Sequence, residues 1–433
     1  MTPVEIGVAG IILLLVLLML RVPVGISMIV VAVIGNVLLT NPTAAMTKLG
    51  IDVMMVTQNY SLSVIPLFVL MGLFLTKANL GADLYELINH FAGRKKGGMA
   101  VATVAASGVF AAVCGSVVAA VSTISAIAVP EMRKYNYDPG FSVGIAAVGS
   151  AAGVVIPPST ALVLYGVLTE ESIGQVMMGG ILPGIVTILL LMLTVVVVLA
   201  IKPSMAPENV LEKQAFPWKT LKYVWAIPVI FLVSMGGIYL GIFTPTEAGS
   251  VGAFLSLVFA ICTGRMKWKS FVDAIKGAVR INAMVFIVLL GGVLFGAFLT
   301  RSLIPLTLSN FIQKLDVAPF LIILVILLIF TAMGPFMDEM ATLVIMTPIV
   351  YPIVIDLGYN GIWFGVMTIM MLISGLVVPP VGIVSLVAAS VTKVPAAKVF
   401  KAQWPFWITM IVACILFAIF PDIVLLLPNY MFK

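Results

Sequence analysis

Two short stretches of this chain can do chemistry, and they are copies of each other. Gly153-Val-Val-Ile-Pro-Pro158 recurs as Gly375-Leu-Val-Val-Pro-Pro380, at an offset of 222 residues. Each interrupts an apolar segment with two prolines. Those prolines remove two backbone donors and leave upstream carbonyls without helical partners. Such carbonyls can coordinate Na⁺, a hard cation that prefers oxygen. The helix that restarts after each break points its amides and positive dipole end at the same place, which suits an anion. Ser159 and Thr160 sit where the first restart begins.

Two tight turns are expected to face these breaks. Cys114-Gly115-Ser116 offers exposed backbone, a hydroxyl and the start of a second helical limb. Met333-Gly334-Pro335 offers the equivalent, followed by Met337, Asp338 and Glu339. A carboxyl at such depth is costly unless paired or wet. Asp338 therefore either caps the limb after it or neutralises a cation, and the second role is favoured. Glu339, one position on, is expected to point elsewhere. The expected Na⁺ sites are Gly115, Ser116, Gly153, Ile156 and Pro158 in one copy. In the other they are Gly334, Gly375, Val378 and Pro380. Cys114, Ser159, Met337 and Asp338 complete the expected ion and substrate site. No basic residue is placed at the same depth, so helix ends rather than Arg are expected to hold the anion.

Broken backbone of this kind survives only inside protein or beside a wet cavity in a membrane. The composition agrees: 62% of residues are hydrophobic and 9% charged, with mean hydropathy +1.24, where soluble domains average about 25% charged. Other chemistries find no support. Cys114, Cys262 and Cys414 stand singly in apolar runs, so neither zinc nor a redox pair is indicated. One histidine, His90, cannot build a His-based metal site. No P-loop, GxSxG or HExxH is present, so the chain does not power itself with ATP. The net charge of +6 lies in short loops and does not suggest nucleic acid. Met1 to Glu5 lack a basic leader, so the first helix is expected to be retained.

The elements that must position these residues read as an all-α polytopic membrane protein. Crossings are expected at about 5–20, 24–40, 60–78, 140–168, 175–201, 221–241, 246–263, 279–300, 360–392 and 404–428. Re-entrant hairpins are expected at 98–131 and 317–353. Residues 1–201 form the first repeat, 202–220 a cytoplasmic linker, and 221–433 the second repeat. Amphipathic stretches at about 43–58, 79–92, 266–278 and 303–316 read as arms in the interface plane.

Charge tests this path. With the N-terminus outside, only Lys48, Arg301, Lys314 and Lys433 fall on the outer side, leaving 19 of the 23 basic residues inside. Both termini are then periplasmic. Five crossings per half is an odd number, so the second repeat is inverted, which marks a secondary transporter with its site between the halves. Other matches lie at nearly the same offset, Gly72 to Lys77 with Gly296 to Arg301 at 224 and Pro23 with Pro245 at 222. A rival match of Thr2-Pro3-x-Glu5 to Thr244-Pro245-x-Glu247 disagrees and is taken as coincidence.

Further residues resemble the large membrane subunit of TRAP (tripartite ATP-independent periplasmic) transporters over nearly the whole chain. They are Ile65 to Phe68, Phe110 to Ser116, Val129 to Met132, Ile156 to Ser159 with Tyr165-Gly166, and Ser172 to Gly174. Ile181 to Gly184, Gly236-Gly237, Gly241 to Ala248 and Val378 to Pro380 add to these. The resemblance implies Na⁺-coupled uptake of a small organic anion across the bacterial inner membrane by an elevator-type motion. It also implies two partners: a small four-helix membrane subunit and a periplasmic substrate-binding protein. Cys114 departs from the serine common at that position, and Val117 from a second hydroxyl, which removes side-chain ligands but no carbonyls. The competing readings are a self-sufficient symporter of a related fold, an intramembrane enzyme and a scaffold. The enzyme reading lacks a His, Cys or acidic constellation at a shared depth, and the scaffold reading leaves the broken helices without a purpose.

Overall fold

The computed structural model describes residues 1–92, 97–206, 217–314, 317–379 and 381–431. Among these the chain forms 21 α-helices and two short 3-10 helices, with no strand.

The elements around the site form as their sequences dictate. The first hairpin has limbs Gly98–Cys114 and Val117–Lys134, reversed at Gly115, whose φ of +65° suits a glycine. The second has limbs Pro319–Met333 and Glu339–Asp356. Each Pro-Pro run breaks its helix. One becomes Pro139–Gly153 and Thr160–Thr169, the other Gly361–Gly375 and Ile383–Thr392. From Gly140 to Gly153, and throughout Gly361–Gly375, every residue is buried. Helices apolar on all sides belong at the centre, and these two form the heart of the molecule.

The hairpins cross-pack onto these broken helices. The first limb Gly98–Cys114 lies on Pro139–Gly153, while its second limb reaches Ile383–Thr392 of the other copy. The first limb Pro319–Met333 lies on Gly361–Gly375, and its second limb reaches Thr160–Thr169. Each hairpin therefore bridges both repeats.

A second group of helices packs beside this unit. Val24–Leu39 crosses Trp268–Arg301, and the helix that ends at Lys77 crosses Pro245–Cys262. Glycines set the first crossing: a Cβ on Gly291 would lie 2.6 Å from the Gly25 carbonyl oxygen.

The structure corrects several boundaries. The arm at 266–278 and the span at 279–300 are one 34-residue helix, Trp268–Arg301. Their first-repeat counterparts are separate because Asn59 closes Pro42–Gln58 and its side chain accepts from the Ser61 amide at 3.0 Å, starting a 3-10 turn. The span at 404–428 is instead Ala396–Ile419 followed by Asp422–Tyr430, parted at Phe420-Pro421. Residues 221–241 divide into Trp218–Val224 and Ala226–Tyr239, so helix already begins inside the linker 202–220. Residues 207–216 of that linker lie outside the described residues.

The rival Thr-Pro-x-Glu match also has a physical cause. Thr2 with Glu5, and Thr244 with Glu247, each form a capping box. Two helices starting with the same chemistry carry the same letters.

Candidate functional site

A cavity of about 230 Å³ lies where the two hairpin tips meet the two broken helices. Cys114 and Ser116 line it from the first tip, and Asp338 and Glu339 from the second. Thr160, Leu376 and Ile383 line it from the breaks. The facing wall is aliphatic and comes from the neighbouring helices, through Val69, Leu73, Val285 and Val288.

Four helices start at this cavity. Val117, Thr160, Glu339 and Ile383 are their first residues, and all four line it. The first amides of a helix lack intrahelical partners, and the dipole places partial positive charge there. The four starts are not equivalent. Ser159 caps one, its hydroxyl accepting from the Leu162 amide at 3.4 Å. Asp338 caps another, accepting from the Met340 amide at 3.2 Å. The helices starting at Val117 and Ile383 carry no side-chain cap. These two helices also pack on each other. The cavity thus has one face with two uncapped helix starts and another bearing two carboxyl groups. Among the described residues, no lysine or arginine lines it.

Each hairpin tip abuts its own break. The Thr160 hydroxyl donates to the Gly115 carbonyl at 3.1 Å. A Cβ on Gly115 would stand 2.9 Å from the Pro158 carbonyl oxygen, so glycine is what lets the two backbones meet. In the other copy, a Cβ on Gly334 would stand 2.8 Å from the Leu372 carbonyl oxygen and 2.8 Å from the Gly375 Cα. The Thr331 hydroxyl donates to the Met371 carbonyl at 3.1 Å, closing the same joint.

The expected residues divide by position. Cys114, Ser116 and Asp338 reach the cavity. Gly115, Gly334 and Pro158 lie behind it, in the joints between tip and break. Gly153 packs against Gly108 and Ala111, and Gly375 against Thr331. Their carbonyls are engaged in matching turns, Gly153 accepting from Ile156 at 3.1 Å and Gly375 from Val378 at 3.2 Å. The breaks are therefore tight turns at their first residue, not open carbonyls throughout. Ser159 is buried and spent on its cap. Met337 borders the second tip without lining the cavity. Val378 lines a separate crevice beside Phe400 and Trp404. Pro380 lies outside the described residues.

Two features escape sequence reasoning, and a third, Thr160, is visible in sequence only as Ser159's neighbour at the restart. Glu339 lines the cavity beside Asp338, is only 7% exposed, and its Oε2 has no hydrogen-bond partner. Asp338 turns back to cap the helix, which leaves the next side chain to face inward. Thr160, not Ser159, supplies the hydroxyl at the restart. Gly72 lies against the Cys114 carbonyl, and the Thr76 hydroxyl is 3.8 Å from Cys114 Sγ. The recurring Gly72 to Lys77 string was the available signal for that contact.

Two broken helices bridged by two cross-packed hairpins suit a membrane permease, and the relatives of this chain are named as transporter permeases. The chain belongs to the family described as tripartite ATP-independent periplasmic transporter, DctM component, which it matches over residues 11–423. It is 31% identical to the C4-dicarboxylate TRAP transporter large permease protein DctM of Pseudomonas aeruginosa, over 92% of each chain. It is 29% identical to the sialic acid TRAP transporter large permease protein SiaM of Vibrio cholerae, over 95% of this chain and 96% of that one. Among solved structures, Neisseria gonorrhoeae MtrF superposes with a TM-score of 0.69 at 13% identity, covering 96% and 94% of the two chains. Alcanivorax borkumensis YdaH gives 0.67 at 12% identity, covering 88% and 89%. These two likenesses show the fold alone.

Proposed function

We propose that the chain carries a small organic anion across the bacterial inner membrane, coupled to Na⁺ and working with a small membrane subunit and a periplasmic binding protein. The observation that carries this reading is the two-faced cavity. An acid group fits against the uncapped helix starts at Val117 and Ile383, where amides and dipoles supply positive charge without a basic side chain. Na⁺ fits the opposite face, near the carboxyls of Asp338 and Glu339. The relatives' printed substrates, a C4-dicarboxylate and sialic acid, are both acids. In this reading the hairpin-bearing unit slides as a body past the helices that supply the aliphatic wall. The basic-residue bias supports cytoplasmic placement of the linker and periplasmic termini.

Reconstitution with and without the binding protein and small subunit tests the tripartite part. Uptake of an organic acid should require both. Full uptake by this chain alone would instead support a self-sufficient symporter.

A further inference from the structure

We propose that a groove on the flank of the hairpin-bearing unit binds a diacyl phospholipid with an anionic headgroup. The groove lies between two repeat-related helices, Ile173–Ile201 and Ala396–Ile419, which pack on each other. It encloses about 480 Å³. Leu193, Val197, Ile408 and Val412 line it and are all exposed, so its walls are open hydrocarbon.

The polar atoms on its floor are already satisfied. Thr194 and Thr409 share a 2.6 Å hydrogen bond across the helix pair. One hydroxyl donates across the pair and the other to its own helix, Thr194 to the Leu190 carbonyl at 2.8 Å or Thr409 to the Pro405 carbonyl at 3.0 Å. The floor therefore offers methyl groups to a guest and asks nothing polar of it.

Charge appears only at one end. Lys202 follows the first helix and Lys401 lies in the first turns of the second, and both line the groove and are exposed. Neither is in an ion pair among the described residues. The basic-residue bias assigns this end to the cytoplasmic headgroup layer. An apolar trough closed by two ammonium groups complements an acyl chain topped by a phosphate. A zwitterionic headgroup fits worse, because its own cation meets the lysines. A purely apolar transmembrane helix from a partner protein would fill the trough but leave both lysines unanswered.

Native mass spectrometry of the full chain in detergent tests this. The probes are phosphatidylglycerol and phosphatidylcholine with identical acyl chains, and inorganic phosphate. Two basic residues near the surface should favour phosphatidylglycerol by roughly tenfold or more. The double substitution Lys202→Gln/Lys401→Gln should erase that preference while leaving weak binding of both lipids. Val197→Trp, which fills the trough, should reduce both. Equal retention of the two lipids would overturn the proposal. So would a preference that survives the double substitution, or displacement of phosphatidylglycerol by millimolar phosphate.

Discussion

The Thr160 hydroxyl donates a 3.1 Å hydrogen bond to the Gly115 carbonyl, across 45 residues of chain. It ties the tip of the first hairpin to the restart of the first broken helix, at the edge of the cavity. Thr160→Val removes that donor and leaves a buried carbonyl unanswered, at a cost of roughly 1–3 kcal/mol. We expect initial uptake to fall about tenfold with membrane levels unchanged. Thr160→Ser should restore most of it. Equal uptake in all three proteins would mean that the joint holds without this bond.

The two break glycines should be intolerant for the same steric reason. A side chain on Gly153 meets the Gly108 backbone, and one on Gly375 meets the Thr331 carbonyl. Overpacking of this kind costs roughly 1–3 kcal/mol or more. Gly153→Leu and Gly375→Leu should each abolish transport while still inserting. Paired immunoblots and uptake assays decide it. Near-normal uptake in either variant would reduce that break to a simple kink.

Asp338 and Glu339 should separate by what each loses. Asn at 338 keeps the helix cap, so Asp338→Asn isolates the charge. Glu339→Gln removes an ionisable carboxyl from a buried group with an unpartnered oxygen. Both substitutions should raise the Na⁺ concentration needed for half-maximal uptake, Glu339→Gln at least as strongly as Asp338→Asn. Half-saturation for the organic acid, measured at saturating Na⁺, should move less. Unchanged Na⁺ dependence in both variants would leave the backbone carbonyls as the only credible ion ligands.

Capping boxes away from the cavity should affect stability alone. Thr244→Ala removes a side-chain acceptor that serves the Glu247 amide and a partner of the Glu247 carboxylate. The expected loss is about 1 kcal/mol. Thermal unfolding in detergent should shift down slightly while uptake per folded molecule holds. A large loss of uptake at normal stability would give this helix start a functional role.

Much of the architecture was legible because prolines and glycines act locally. Both hairpin turns and both breaks lie where Gly115, Gly334 and the Pro-Pro runs place them. What stayed hidden depends on tertiary packing. Val69, Leu73, Val285 and Val288 read like any lipid-facing aliphatics, yet they wall the cavity. The continuity of Trp268–Arg301 was masked by a change from amphipathic to apolar sequence, which does not itself stop a helix. Glu339 was misplaced because adjacent helical residues normally diverge. Asp338 sits at the cap, where the backbone is still extended, so that rule does not apply to the pair.

The central claim is that ion and anion occupy one cavity and move together. It is tested most directly by initial uptake of a transported organic acid into proteoliposomes holding the complete system, against external Na⁺. The account predicts no uptake without Na⁺ and a sigmoidal rise with it, as expected if each of the two repeat-related copies holds an ion. A flat response to Na⁺, or full uptake driven by a proton gradient alone, would contradict it.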